Sequence, residues 1–324
     1  MIDWVFVAIG IVILLFAGDA LVKGAVNLSL RLGIPALVVS LTVVAFGTSA
    51  PELLVSVAAV LGGSPGLALG NVVGSNIANV LLILGLPALV APIVAGGLDV
   101  RTSYIQMLGA TLLVILLAGI GGALFRFDGL ILLAALGVIL WMTTRGALKA
   151  RRESRAAADA APDEAPEETP EGADPSMRGL TIGLLICAGL IGLPIGAHLL
   201  VTGATEIALR WGVSETIIGL TLVAVGTSLP ELATSFAAAM RRQTDVIIGN
   251  VIGSNFFNLL CILGISTLFG RIPMTAETFW ADFPMLLVSS LLLVPLVFFK
   301  RDITRLWGVA FIALYVGFVL VVLL

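Results

Sequence analysis

Charge is what this sequence has least of. Asp, Glu, Lys and Arg make up 11% of its 324 residues, against about a quarter in an ordinary soluble domain, so a water-covered globular surface is excluded. Histidine is nearly absent, with His198 alone, and cysteine stops at Cys187 and Cys261, both inside apolar runs. That usage excludes a disulfide framework and a zinc centre, and the two thiols are expected to face lipid or pack in a core. No basic stretch interleaved with aromatics occurs, and the net charge is −3, so no nucleic-acid partner is expected. The first residues, MIDWVFVAIG, carry no basic n-region and no small-residue cleavage site. The first apolar run is therefore expected to stay as a helix rather than be removed as a signal.

Apolar residues fill the space that charge leaves, at 59% of the chain and a mean hydropathy of +1.15. A bilayer core takes about 20 apolar residues as a helix. Ten such runs are present, near 4–30, 34–61, 66–91, 104–125, 128–145, 179–209, 213–240, 246–269, 279–299 and 305–323. The expected fold is an all-α integral membrane protein of ten transmembrane helices, in two units, 1–146 and 179–324. Between them, residues 147–178 are rich in Ala, Pro, Glu and Asp and cannot bury enough apolar surface to fold, so a disordered, solvated spacer is expected.

Basic residues set the orientation. Of the 17 Lys and Arg residues, Arg126, Arg210 and Arg271 fall in loops on one side and Lys23 lies inside the first run. All the others, including those of the spacer, fall on the opposite side. Both termini should then lie outside and the spacer in the cytoplasm, in an inner (plasma) membrane. Trp4, Trp211 and Trp280 fall near the outer ends of their runs and Trp141 and Trp307 near the inner ends, as interfacial anchors do. His198 and Glu206 lie away from any motif and are expected to be packed or interfacial.

Two unusual stretches break the apolar pattern. GTSAPE at 47–52 places a proline beside a carboxylate within a membrane run, and GTSLPE at 226–231 repeats it 179 residues later. The same shift lays GNVVGSNIANVLLILG (70–85) on GNVIGSNFFNLLCILG (249–264), identical at 11 of 16 positions without a gap. The chain is thus two homologous halves. Because each holds five helices, an odd number, the halves must be inverted relative to each other, an architecture that places a transporter's site at the midplane.

The motifs gather oxygen. Glu52 and Glu231 near mid-membrane each cost about 2.5–3.5 kcal/mol to insert, so their presence at equivalent positions argues for use. The one intramembrane cation, Lys23, has Asp19 four residues before it and is expected to pair with it. Pro51 and Pro230 remove one backbone N–H each and disturb the carbonyls of Gly47 and Gly226. Thr48, Ser49, Thr227 and Ser228 add hydroxyls beside the carboxylates. Ser75 with Asn79, and Ser254 with Asn258, lie at i, i+4 on one helix face. Gly70, Gly74, Gly249 and Gly253 should let these helices approach their neighbours closely. Asn71, Asn76, Asn250 and Asn255 are further candidate ligands, with interhelical hydrogen bonding as their more natural role. An all-oxygen set of this kind suits Ca²⁺ or Na⁺ and not zinc or copper, and two ionised carboxylates balance one Ca²⁺ or two Na⁺.

These paired motifs closely resemble the two α-repeats of the calcium/cation antiporter superfamily, in its prokaryotic sodium/calcium exchanger branch. The resemblance implies a secondary antiporter, not an enzyme, with Ca²⁺ and Na⁺ as transported substrates, the lipid bilayer as its surroundings, no cofactor, no protein partner and a monomeric state. It implies that Glu52, Glu231, Thr48 and Thr227 hold Ca²⁺. It implies that Na⁺ uses the same glutamates with Ser49, Ser75, Ser228, Ser254 and the carbonyls of Ala45 and Ala224, and that Asn79 and Asn258 complete a central position. Asn258 departs from relatives that carry aspartate there. Exchange of Na⁺ for Ca²⁺, exchange of H⁺ for Ca²⁺ and passive cation conduction all remain compatible with the residues themselves.

Overall fold

The computed structural model describes residues 2–94, 100–160, 173–212, 224–276 and 278–323. Within them the chain is helical, and seven helices are long and apolar enough to cross a membrane. They are α1 (Ile2–Leu32), α4 (Pro65–Val90), α5 (Arg101–Gly121), α6 (Arg126–Ala160), α7 (Gly179–Arg210), α10 (Thr244–Phe269) and α11 (Thr278–Phe299). A broken pair, α2 (Ala36–Thr48) and α3 (Ala50–Leu61), is long and apolar enough only when taken together, and is bent by 43° at its break. Short α8 (Ala224–Thr227), α9 (Leu229–Met240) and the apolar α12 (Arg305–Leu323) complete the order. The first part of the run expected at 213–240 lies outside the described residues.

The breaks fall where proline puts them. Pro51 has no N–H to give the carbonyl four residues back, so α2 ends at Thr48 and α3 restarts at Ala50. Ser49 between them sits at φ −83°, ψ 4°, in the sparsely occupied bridge region. Ser228, before Pro230, repeats the conformation at φ −89°, ψ 4°. Other irregularities carry no such sequence mark. The turn Ser40–Val44 of α2, the stretch Phe257–Ile262 of α10 and the first turn of α11, Thr278–Asp282, are π-helical, and such turns recur at functional positions.

The core is built on α4 and α10. α10 is buried on every side from Val246 to Gly264, the place of a helix at the centre of a bundle. Val72, Ile77 and Leu81 of α4 meet Val251, Phe256 and Leu260 of α10 in one cluster. A second cluster joins α1 to α7 through Leu14, Ala17 and Leu21 against Leu193 and Ala197. The two helices touch backbone to backbone: a Cβ on Gly10 would come 2.8 Å from the Gly196 carbonyl, and one on Gly196 would come 3.0 Å from the Gly10 carbonyl. Small residues that admit such approach drive helix pairing in lipid, where apolar area alone does not. At one end of the pair Arg210 holds the buried Asp3 at 2.6 Å and Trp4 lies against Trp211. Outward faces carry exposed Phe16, Leu54, Ile120, Leu180 and Leu306, a surface suited to lipid.

Several expectations need correcting. Residues 147–160, read as spacer, continue α6 to Ala160; Ala, Lys, Arg and Glu are strong helix formers, and Lys149 pairs with Glu153 one turn on. The spacer's last residues dock on α1: Asp174 N–H donates to Asn27 Oδ1 at 2.8 Å, and Ala173 packs on the core. The Ser176 hydroxyl and N–H, with Lys23 nearby, hold the exposed Asp174 carboxyl below its usual range. Asp19 does not pair with Lys23; it accepts from Arg241 Nε at 2.6 Å, across to the loop after α9. The chain also has strand pairing that an all-α reading omits. β1 (Ala123–Leu124) runs antiparallel to β2 (Ile272–Pro273), and Ile93 bridges Ile303. Shifting 93 and 124 by 179 gives 272 and 303, so one half-to-half contact occurs twice.

Candidate cation site

The repeat arithmetic becomes three-dimensional at the two broken helices. Ser49 and Ser228 are each forced out of helical geometry, and each turns its hydroxyl onto the other half. Ser49 Oγ donates to Glu231 Oε1 at 3.0 Å, and Ser228 Oγ donates to Glu52 Oε1 at 3.5 Å. Both glutamates are 1% exposed. A buried carboxylate is costly unless it is partnered, yet Oε2 of both has no hydrogen-bond partner.

The helices behind them supply the rest. On α4, Asn71, Ser75 and Asn79 follow at four-residue steps, and on α10 Asn250, Ser254 and Asn258 do the same. Ser75 Oγ, Ser254 Oγ, Asn79 Oδ1 and both polar atoms of Asn258 are buried without a protein partner. Native interiors pair nearly all such atoms. Among the described residues, this concentration of unpaired oxygen beside two carboxylates is what a cation-binding cluster requires. Asn258 lies inside the π-helical stretch of α10, whereas its counterpart Asn79 lies in regular helix.

The threonines are held differently. Thr48 Oγ1 lies 3.3 Å from Asn250 Oδ1 and 3.3 Å from the Ala45 carbonyl, and Thr227 Oγ1 donates to Asn71 Oδ1 at 3.4 Å. Ala45 follows the π turn of α2, and Ala224 opens α8. All twelve residues expected from the sequence thus lie on the two broken helices or on α4 and α10. The structure joins Ser49, Ser228 and the glutamates by direct contact. No three side chains of His, Cys, Asp or Glu gather among the described residues, so charge at this cluster rests on the two glutamates.

Of the four further asparagines, three bond between helices and one does not. Asn79 Nδ2 donates to Asn255 Oδ1 at 2.9 Å, Asn255 Nδ2 reaches the Asn76 carbonyl at 3.4 Å, and Asn76 Nδ2 returns to Val72 of its own helix. Asn71 and Asn250 each tie the glutamate-bearing helix of their own half. Their amides also reach Ser56 and Ser235, which sequence reasoning missed; a serine four residues after each glutamate, present in both copies, was the available signal. Gly249 and Gly253 do give close approach, with Ser40 and Ala45 within 2.7 Å of a built Cβ. At Gly70 and Gly74 nothing among the described residues comes within 4 Å of such a Cβ; the repeat counterparts of Leu37, Ser40 and Leu41, positions 216, 219 and 220, lie outside the described set. His198 and Glu206 are exposed on α7, Cys187 is exposed and Cys261 is buried in the core.

The model of the family described as sodium/calcium exchanger protein matches residues 2–145 and 181–324, two segments that superpose under the same 179-residue shift. The chain is 33% identical to the sodium/calcium exchanger MaX1 of Methanosarcina acetivorans, with 99% of this chain and 98% of that one covered. It is 36% identical to the inner membrane protein YrbG of Escherichia coli, over 88% of this chain and 85% of that one. Among solved structures, the sodium-calcium exchanger NCX_Mj superposes with a TM-score of 0.80 at 30% identity, covering 97% of this chain and 96% of that one.

Proposed function

The chain belongs to the sodium/calcium exchanger protein family, and on that premise we propose that it is a secondary antiporter that moves Ca²⁺ out of the cell in exchange for entering Na⁺. The observation that carries the proposal is the reciprocal pair of hydroxyl–carboxylate contacts, Ser49 on Glu231 and Ser228 on Glu52. Neither half has a complete site. Each supplies one charge and one hydroxyl to a cluster whose free oxygens belong to both.

In this reading Glu52, Glu231, Thr48 and Thr227 take Ca²⁺. Na⁺ takes the same glutamates with Ser49, Ser75, Ser228, Ser254 and the Ala45 and Ala224 carbonyls, while Asn79 and Asn258 line the central position. Hard, flexible oxygen donors suit both ions. Because the carboxylates are shared, one cargo must leave before the other binds, and the cost of carrying two bare carboxylates back through the membrane makes the exchange obligatory. The protein crosses the inner membrane ten times as two inverted five-helix halves, with both termini outside and the spacer inside. α1 and α7, packed through their glycines, move together as the gate, and the Asp19–Arg241 pair fastens that gate to the body at its cytoplasmic end.

If three Na⁺ exchange for one Ca²⁺, one net charge crosses per cycle, worth about 2.3 kcal/mol per 100 mV. The test is ⁴⁵Ca²⁺ flux in proteoliposomes under Na⁺, K⁺ and H⁺ gradients imposed one at a time. An outward Na⁺ gradient should drive Ca²⁺ uptake and respond to voltage. Uptake driven by a pH gradient without Na⁺ would replace this reading with H⁺/Ca²⁺ exchange, and rapid flux indifferent to every counter-ion gradient would replace it with a channel.

A further inference from the structure

We infer that Asn71 and Asn250 are positioning residues which set the threonine ligand of the opposite half, and that they are not ligands themselves. The inference rests on the reading of Thr48 and Thr227 as Ca²⁺ ligands. Each asparagine opens a row along one helix face, Asn71–Ser75–Asn79 and Asn250–Ser254–Asn258. In both rows the second and third residues have buried oxygens without partners, while the amide of the first is taken up by protein contacts on both sides. The oxygens left wholly free for a cation are those of the second and third residues, whereas the oxygen of each first amide already accepts a hydroxyl.

What they hold is the same in both copies. Asn71 Nδ2 donates to the Glu52 carbonyl at 3.2 Å and to Ser56 Oγ at 2.9 Å, and Asn250 Nδ2 donates to the Glu231 carbonyl at 3.3 Å and to Ser235 Oγ at 3.2 Å. Each amide is thereby fixed to the glutamate-bearing helix of its own half. Its other end, Oδ1, accepts the hydroxyl of a threonine from the other half, Thr227 for Asn71 and Thr48 for Asn250. The amide is therefore a strut between a carboxylate's backbone in one half and a hydroxyl in the other.

The chemistry of a hydroxyl makes the strut matter. A threonine has one proton and two lone pairs. When the proton goes to Oδ1, the lone pairs are left for a cation. Thr48 shows the alternative, because its Oγ1 lies as near the Ala45 carbonyl as Asn250 Oδ1, 3.3 Å from each. Given to Asn250, it leaves that carbonyl oxygen, too, less engaged. Partners that orient a metal ligand in this way are worth about 10- to 100-fold in metal affinity.

The experiment is a pair of double-mutant cycles on the half-saturating Ca²⁺ concentration of transport by the full chain in proteoliposomes. Thr227→Val and Asn71→Ala are each expected to raise it about tenfold. Because Asn71 acts through Thr227, the double variant should equal Thr227→Val alone. The mismatched combination Asn71→Ala with Thr48→Val should instead multiply the two effects, to about a hundredfold, as independent sites do. Asn250→Ala is expected to couple to Thr48→Val and not to Thr227→Val. A purely structural role for the asparagines would lower thermal stability without this pair-specific pattern. If Asn71→Ala does not fold, Ser56→Ala, which removes one of the amide's acceptors, carries the test. It should raise the same concentration by a smaller factor, and the rise should vanish on the Thr227→Val background. Equal coupling of Asn71 to both threonines, or none to either, overturns the inference while leaving the ligand assignment intact. Unchanged Ca²⁺ dependence in Thr48→Val and Thr227→Val overturns the ligand assignment and the inference with it.

Discussion

Glu52→Gln and Glu231→Gln should each bring Ca²⁺ flux down to that of vesicles without protein. Glutamine keeps the shape, and its oxygen can still accept the opposite half's serine hydroxyl, so the change removes one negative charge and little else. A unit charge pair about 4 Å apart at an effective dielectric of about 20 interacts by about 4 kcal/mol, and by twice that when one partner is divalent. A loss of that size exceeds a thousandfold in affinity. Stability should move the other way. Both carboxylates are buried with one oxygen unpartnered, and a neutral amide is cheaper to bury than a charge. Thermal unfolding without Ca²⁺ should therefore show the Gln variants at least as stable as the parent. Flux near the parent level in either variant would remove that glutamate from the site.

Gly253→Ala should be nearly as damaging by a different route. A Cβ at this position of α10 would lie 2.6 Å from Ala45 Cβ, 2.7 Å from the Leu41 carbonyl and 2.9 Å from Leu41 Cα. Two of those three atoms are backbone, so no rotamer relieves the contact and α10 must move away from α2. The shift carries Ser254 on one side and the Ala45 carbonyl on the other. Overpacking of this kind costs about 1–3 kcal/mol, so the variant should unfold at lower temperature. Its Ca²⁺ flux should fall by more than that destabilisation accounts for, because both displaced groups belong to the proposed site. A Gly253→Ala protein with parental flux and melting temperature would show that α2 and α10 are not in the contact described.

Much of this was legible because a membrane simplifies the reading. The bounds of α1, α4, α7 and α10 fall within about three residues of the apolar runs, since lipid tolerates neither a charged side chain nor an open backbone inside it. The broken helices were legible because proline acts locally, and the candidate cluster was legible because its motifs are written twice. What stayed hidden is tertiary. Asp19 and Lys23 share a face of α1, but Arg241 reaches Asp19 from 222 residues away, and no periodicity encodes that. The π-helical turns at Ser40–Val44 and Phe257–Ile262 have the same apolar composition as the α-helix around them. The strand pairs are two residues or fewer on each side, too short for an alternating pattern. Residues 147–160 show the opposite failure. Their polarity argued for a spacer, but propensity and the end of a long helix to extend were enough to keep them helical.

In the proposed mechanism one oxygen cluster, half from each repeat, serves both cations. Calorimetric titration of Ca²⁺ onto the purified protein at rising Na⁺ concentrations tests it most directly. A single Ca²⁺ should bind per chain, with an apparent affinity that falls steadily as Na⁺ rises, and none should bind to the Glu52→Gln, Glu231→Gln double variant. Ca²⁺ affinity that stays constant across the Na⁺ series would contradict it.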